Sequence, residues 1–177
     1  LLLPDAMQAK RAVLLVKPSI RSALFDFDIP YYGRHFEIPA VFTAARVGRE
    51  DGLYVVAYSE LSSADKADIL ERIQPDLIIA DEAHSLRHRS ASRTKRFLRY
   101  MKEHPECRFV ALSGTMATRS LLDYAHLIEL ALRKNSPLPG KYTDLQDWAA
   151  ALDDNGRDLP MRPGKLLLFC ELEEPVR

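Results

Sequence analysis

Two carboxylates and a histidine stand together at Asp81-Glu82-Ala83-His84, directly after the apolar run Leu77-Ile78-Ile79-Ala80. Paired carboxylates at a strand end suit chemistry on a metal-bound phosphate: one holds Mg²⁺, and the other orients or deprotonates an attacking water. The abrupt switch from apolar to ionisable residues is what a buried parallel strand delivers at its carboxyl end, where open α/β sheets take their ligands. A second polar cluster, Ser113-Gly114-Thr115, sets two hydroxyls around a glycine just after the apolar run 109–112. A third, Lys17-Pro18-Ser19, ends another apolar run and offers an ammonium and a hydroxyl to phosphate oxygens. Positive charge is densest from Arg87 and Arg89 through Arg93, Lys95, Arg99 and Lys102, either a contact for phosphates or a solvated helix face.

Other chemistries fit these residues less well. His84 and His88 are four apart and close to Glu82, but no third ligand is placed for a zinc site. A serine nucleophile elbow at Ser113 would need glycine at 111 and 115, where the chain has alanine and threonine. Cys107 and Cys170 lack metal-ligand spacing and read as reduced, buried thiols.

The elements that must position these groups follow from the apolar pattern. Residues 11–16, 53–58, 77–80 and 108–112 read as strands of a mostly parallel sheet. Leu1 to Lys10 reads as the last turns of a helix. Ser19 is placed to cap a helix carrying Ile20, Leu24 and Phe25, while residues 26–51, broken by Pro30, Gly33, Pro39 and Gly48, read as a loop-rich excursion. Its aromatics read more readily as cover for a sheet edge than as a base-stacking surface. Ser62 and Asp65 box the start of a helix with Ala67, Leu70 and Ile73 in one stripe, closed by Pro75. A basic helix starts near Ser92 with Phe97, Leu98 and Met101 inward. Ser120 and Asp123 begin a long helix through Leu132, and Thr143 with Gln146 begins another through Leu152 that ends at residues 153–156. Residues 165–170 are a further strand or a connection onward.

The order of these motifs resembles the first RecA-like lobe of superfamily 2 helicases and translocases. Asp81-Glu82-Ala83-His84 matches the DEAH box, Lys17-Pro18-Ser19 stands where motif Ia falls, Ser113-Gly114-Thr115 looks like motif III, and Tyr58-Ser59-Glu60 loosely resembles the "TYE" stretch of Swi2/Snf2-type motif Ib. The chain departs from the Swi2/Snf2 form at Arg87 and His88, where Lys and Asn would fall, and at Met116, where Pro would. The resemblance implies an α/β, three-layer RecA-like P-loop NTPase lobe over residues 1–140, with 141–177 a helix and connection toward a second lobe. It further implies an ATP-dependent DNA helicase or translocase using ATP and Mg²⁺, with DNA favoured over RNA and the second lobe of the same chain as partners. In those terms Asp81 holds Mg²⁺, Glu82 activates water, and His84 with Ser113, Gly114 and Thr115 relays nucleotide state. Lys17, Pro18, Ser19 and Tyr58 meet the nucleic-acid backbone, joined by the charges of Arg87 and Arg89. The other class is a non-catalytic nucleic-acid or protein-binding module with a vestigial site.

The phosphate cradle G-x-x-x-x-G-K-[ST] is absent: Gly140-Lys141 precedes Tyr142 and Gly164-Lys165 precedes Leu166. The Walker A strand and loop are expected upstream of Leu1, so the chain as given is expected to hold the metal and water half of an ATPase site and to be inactive alone. With 25 basic and 25 acidic residues among 177, no global field attracts nucleic acid, and binding must come from a local cluster. Without a signal peptide or an apolar run of the ~20 residues that span a bilayer, the expected setting is cytoplasmic or nucleoid-associated, away from membranes.

Overall fold

The computed structural model describes residues 1–46, 48–114 and 120–152. The chain divides into two compact units, Leu1–Gly114 and Thr115–Arg177. This division lies earlier than the 140/141 boundary drawn from the sequence.

The first unit is an α/β domain built on five parallel strands, β1 (Arg11–Val16), β2 (Val41–Thr43), β3 (Gly52–Ala57), β4 (Leu77–Asp81) and β5 (Arg108–Leu112), in the order β2-β3-β1-β4-β5. Every residue of β3 is buried, and so are the first four of β4, as strands covered on both faces require. Helices flank the sheet. On one face Ala12, Leu53, Leu77 and Ile79 form a cluster that receives Leu3 and Met7 from the segment around α1 (Leu3–Ala6), where Pro4 sits in the first turn and leaves no amide unpaired. The pleat turns Phe109 to the opposite face, where its ring meets Phe97 of α6 (Ser92–Glu103) at a centroid distance of 4.9 Å. Burying a side chain of that size stabilises by about 1.5–3 kcal/mol. Tyr100, also of α6, donates its hydroxyl to the Pro75 carbonyl at 3.0 Å, so α6 is fixed to the loop that starts β4.

The far ends of the strands are tied by Asp76. Its carboxylate accepts from the Lys10 and Arg11 amides at 2.9 and 3.1 Å, and its carbonyl accepts from the Arg108 amide. Gly52 opens β3 at φ +151°, and a Cβ there would collide with the Ala40 carbonyl oxygen, so glycine is required where β2 and β3 begin side by side.

Several elements differ from the sequence reading. Ser19 does not cap: α2 (Pro18–Ala23) has Lys17 at its N-cap, with Pro18 supplying the preset φ of the first helical position. The backbone then continues through a π-helical turn (Leu24–Asp28) into α3 (Ile29–Tyr32), so Pro30, read as a breaker, lies in the first turn of a new helical segment. The next strand ends at Ala57, and Tyr58 starts a helix, α4 (Tyr58–Ser62). Ser63, not Ser62, bonds Asp65, and the predicted single helix is a 3₁₀ turn (Ala64–Lys66) followed by α5 (Ile69–Ile73), which stops where Gln74 turns left-handed one residue before Pro75.

In the second unit, Ser120 Oγ accepts from the Leu122 amide at 3.2 Å, the cap expected of it. The long helix is divided: a 3₁₀ turn (Leu121–Asp123), α7 (Ala125–Leu132) and a second 3₁₀ turn (Arg133–Asn135) beginning at Arg133, which has φ +51°. The last described helix, α8 (Tyr142–Leu152), packs against the first of these turns, with Leu145, Trp148 and Ala149 buried. Residues 153–156 and the run 165–170 lie outside the described residues.

Candidate functional site

Parallel pairing puts all five carboxyl ends along one sheet edge. Val16 pairs with Ala57, Leu15 with Ala80, and Asp81 with Leu112. The residues that follow these strands, Lys17, Tyr58, Glu82 and Ser113, are thereby delivered to the same end of the sheet although up to 96 residues apart in sequence. The motifs read separately from the sequence are therefore one row, and sheet register is what assembles them.

Glu82 is held in the left-handed region at φ 54°, ψ 54°, a conformation that costs a non-glycine residue about 1–2 kcal/mol. It ends β4 abruptly, and the 3₁₀ turn Ala83–Leu86 follows, anchored by the buried Ala83 and Leu86. The Glu82 carboxylate lies between two partners, with Oε1 3.7 Å from Lys17 Nζ and Oε2 3.1 Å from His84 Nδ1. That imidazole nitrogen is buried and forms no well-aligned hydrogen bond, so its interaction with Glu82 is electrostatic when the ring carries a proton. Lys17 and Glu82 are both more than a third exposed, and such a pair contributes about 0–1 kcal/mol.

Asp81 is half-buried at the last position of β4. Its carbonyl accepts a 2.8 Å hydrogen bond from the hydroxyl of Tyr58, which is only 3% exposed. Tyr58 was expected to meet a nucleic-acid backbone; its ring is instead inside, where the turn from β3 into α4 packs it. Burial, reinforced by the Asp81 and Glu82 charges and opposed by Arg93, holds its hydroxyl well above the usual phenol range. It stays a proton donor to Asp81 across the physiological range.

The start of α4 is fixed by Glu60. Its carboxylate accepts from the Ala57 amide at 2.9 Å and from Lys66 Nζ at 2.7 Å, and Arg21 of α2 lies 3.2 Å away. Burial alone would raise its pKa, but the Lys66 and Ala57 hydrogen bonds and the Lys66 and Arg21 charges together bring it below the usual carboxylate range. The sequence signal was available: Glu60 is three residues after Ala57, the reach of a carboxylate back to an N-cap amide.

The basic stretch divides by use. Arg93 Nε donates to the Ser85 carbonyl, Arg96 to the carbonyls of Leu61 and Ser63, and Arg99 to Glu71 and the Ala67 carbonyl. Arginines that read as a charged face thus tie α6 to the segments before it. Arg87 Nε donates to His88 Nε2 at 2.9 Å, while Arg89, Lys95 and Lys102 border a shallow groove with Leu98 and Glu103. Pro18 and Ser19 are exposed beside Lys17. Gly114 has open space around the position of a Cβ, and Thr115 lies outside the described residues.

Among the described residues no three His, Cys, Asp or Glu side chains are grouped to hold a metal ion by themselves. A single strand-end carboxylate such as Asp81 does fit Mg²⁺, which binds proteins through one or two carboxylates and takes its other ligands from phosphates and water. No described helix is long and apolar enough to cross a membrane. No known protein-family model matches the chain, and no curated protein matches it significantly.

Proposed function

We propose that this chain is part of an ATP-dependent DNA helicase or translocase and contributes the metal-binding and water-activating side of its nucleotide site, within a RecA-like lobe. The observation that carries the reading is the single row at the carboxyl edge of a parallel sheet, with Lys17 3.7 Å from a Glu82 that follows the half-buried Asp81. Asp81 would hold Mg²⁺, which on binding neutralises charge on a phosphoryl group. Glu82 accepts the proton of the attacking water, and its fixed left-handed backbone aims the carboxylate away from the strand axis toward Lys17 and His84. Once Lys17 exchanges its weak contact with Glu82 for a phosphate oxygen, the carboxylate is free to act as a base. His84, next to Glu82 and one turn from the strand, is placed to register whether that exchange has occurred. Ser113 leaves β5 beside Glu82 and belongs to the same coupling, with Gly114 and Thr115 following it in the motif.

The full-length protein containing this sequence tests the reading. Its ATP turnover is expected to rise with DNA, and Glu82→Gln is expected to lower turnover by about 10²–10⁴-fold, the usual contribution of a general base, with nucleotide affinity retained. Turnover unchanged in Glu82→Gln overturns the proposal.

A further inference from the structure

In the first unit the large aromatic side chains from β3 onward are internal: Tyr54, Phe97 and Tyr100 are almost fully buried, and Tyr58 and Phe109 are buried with them. The helical stretch from Pro18 to Tyr32 and the turn after it are the opposite. No residue of α2, the π turn or α3 is buried, and Phe27 is 71% and Tyr31 57% exposed, with Tyr32 and Phe36 also exposed. Phe27, Tyr31 and His35 follow at intervals of four, and Tyr32 and Phe36 make a second such pair, so the rings gather on the outside of the segment. They touch one another: Tyr31 meets Tyr32 edge-on at 5.4 Å and His35 at 5.5 Å, and Tyr32 meets Phe36 at 6.4 Å. Exposed contiguous aromatics of this kind mark a surface that another molecule covers.

The charges in the same stretch of chain say what kind of molecule. Within residues 24–37 the exposed carboxylates Asp26, Asp28 and Glu37 stand against one guanidinium, Arg34. A nucleic-acid strand could stack its bases here, but it would bring phosphates against three carboxylates. Aromatic faces attract cations through their quadrupole, and the carboxylates attract the same groups by charge, so both features favour guanidinium or ammonium. Arg21 joins the segment to Glu60 at 3.2 Å, which fixes its base on the sheet while its outer side stays open.

We propose that the surface from Asp26 to Glu37 is a docking site for an arginine- or lysine-rich segment of a protein partner, with cationic side chains over the Tyr31 and Tyr32 rings and paired with Asp26, Asp28 and Glu37. It is a separate site from the strand-edge row and does not depend on the hydrolytic reading.

The test is fluorescence anisotropy with a labelled Arg-Ala-Leu repeat peptide, its Glu-for-Arg counterpart and an oligo-dT strand. The basic peptide is expected to bind and the acidic one to bind at least about tenfold more weakly, a difference of 1.4 kcal/mol. Tyr31→Ala with Tyr32→Ala should weaken the basic peptide about tenfold, and Asp26→Asn with Asp28→Asn and Glu37→Gln should weaken it and flatten its salt dependence. All five side chains are exposed, so circular dichroism should show both variants folded, and the carboxylate variant alone decides if the tyrosine variant does not fold. The proposal is overturned if the basic peptide does not bind, or binds both variants as well as the parent. It is equally overturned if oligo-dT binds through the tyrosines, or if sedimentation shows a dimer that the tyrosine variant abolishes, which would give the surface to a second copy.

Discussion

The strand-edge row and the helical segment after β1 begin one residue apart, at Lys17 and Pro18, yet they are built on opposite principles. In the row, several groups are located by something buried. Tyr58 is inside and bonds the Asp81 carbonyl, Glu60 pins the helix that Tyr58 begins, and Glu82 sits in a strained conformation that the surrounding strand and turn impose. In the helical segment nothing is buried, and Tyr31 and Tyr32 meet edge-on at the surface. Chemistry on a small group needs side chains held within fractions of an ångström, which rigid elements supply. A surface that waits for a flexible partner needs area and charge, and tolerates looseness.

Substitutions can break or sharpen that contrast. The largest difference is expected between two phenylalanines. Phe97→Ala, under the sheet, should cost about 3–5 kcal/mol in urea unfolding, whereas Phe27→Ala on the exposed segment should change stability by no more than about 0.5 kcal/mol. Equal losses would mean that the segment is covered by something within the chain. Next is Glu60→Gln, which removes charge-assisted bonds and is expected to cost about 1.5–3 kcal/mol at pH 7. Because the Glu60 pKa is lowered by folding, its contribution is complete above the unfolded value of about 4.3 and is lost as pH falls through the lower folded value. Parent and variant should therefore converge only once the pH has fallen below that lower folded value; a gap that persists there would assign the loss to packing. The smallest effect is expected from Tyr58→Phe, about 1 kcal/mol in stability, with a larger relative loss in ATP turnover of the full-length protein if Asp81 is positioned through its carbonyl.

What could be read from the sequence tracks how local the determining interaction is. Strands β1 and β4 were legible as apolar runs, and β3 nearly so, because a parallel strand buried on both faces writes its own signature; the edge strand β5 was legible from its apolar run although only Phe109 in it is buried. The three-residue β2 was not, since Val41–Thr43 is too short to show a pattern and forms only because Gly52 lets β3 come close. The helix through Pro30 was hidden because a proline was taken to end a helix when it begins a new turn of one. At the site, Asp81, Glu82 and His84 were legible as types in sequence, but the Lys17–Glu82 contact depends on β1 lying beside β4, a register no local pattern encodes. Tyr58 was misplaced because its burial comes from the turn into α4 and its bond to the Asp81 carbonyl, 23 residues later in the chain. Arg96 and Arg99 of α6 looked like free charge because their carbonyl partners on α4 and the turns after it come from 32 to 35 residues earlier in the chain.

The bond from Tyr58 to Asp81 also has a mechanical meaning. Strands β3 and β4 are not neighbours; β1 runs between them, so the tyrosine spans two strand spacings, roughly 9–10 Å, over the end of β1. It works as a crossbar at the mouth of the sheet. Splaying β3 and β4 apart would stretch this bond as well as the ladders that join each of them to β1.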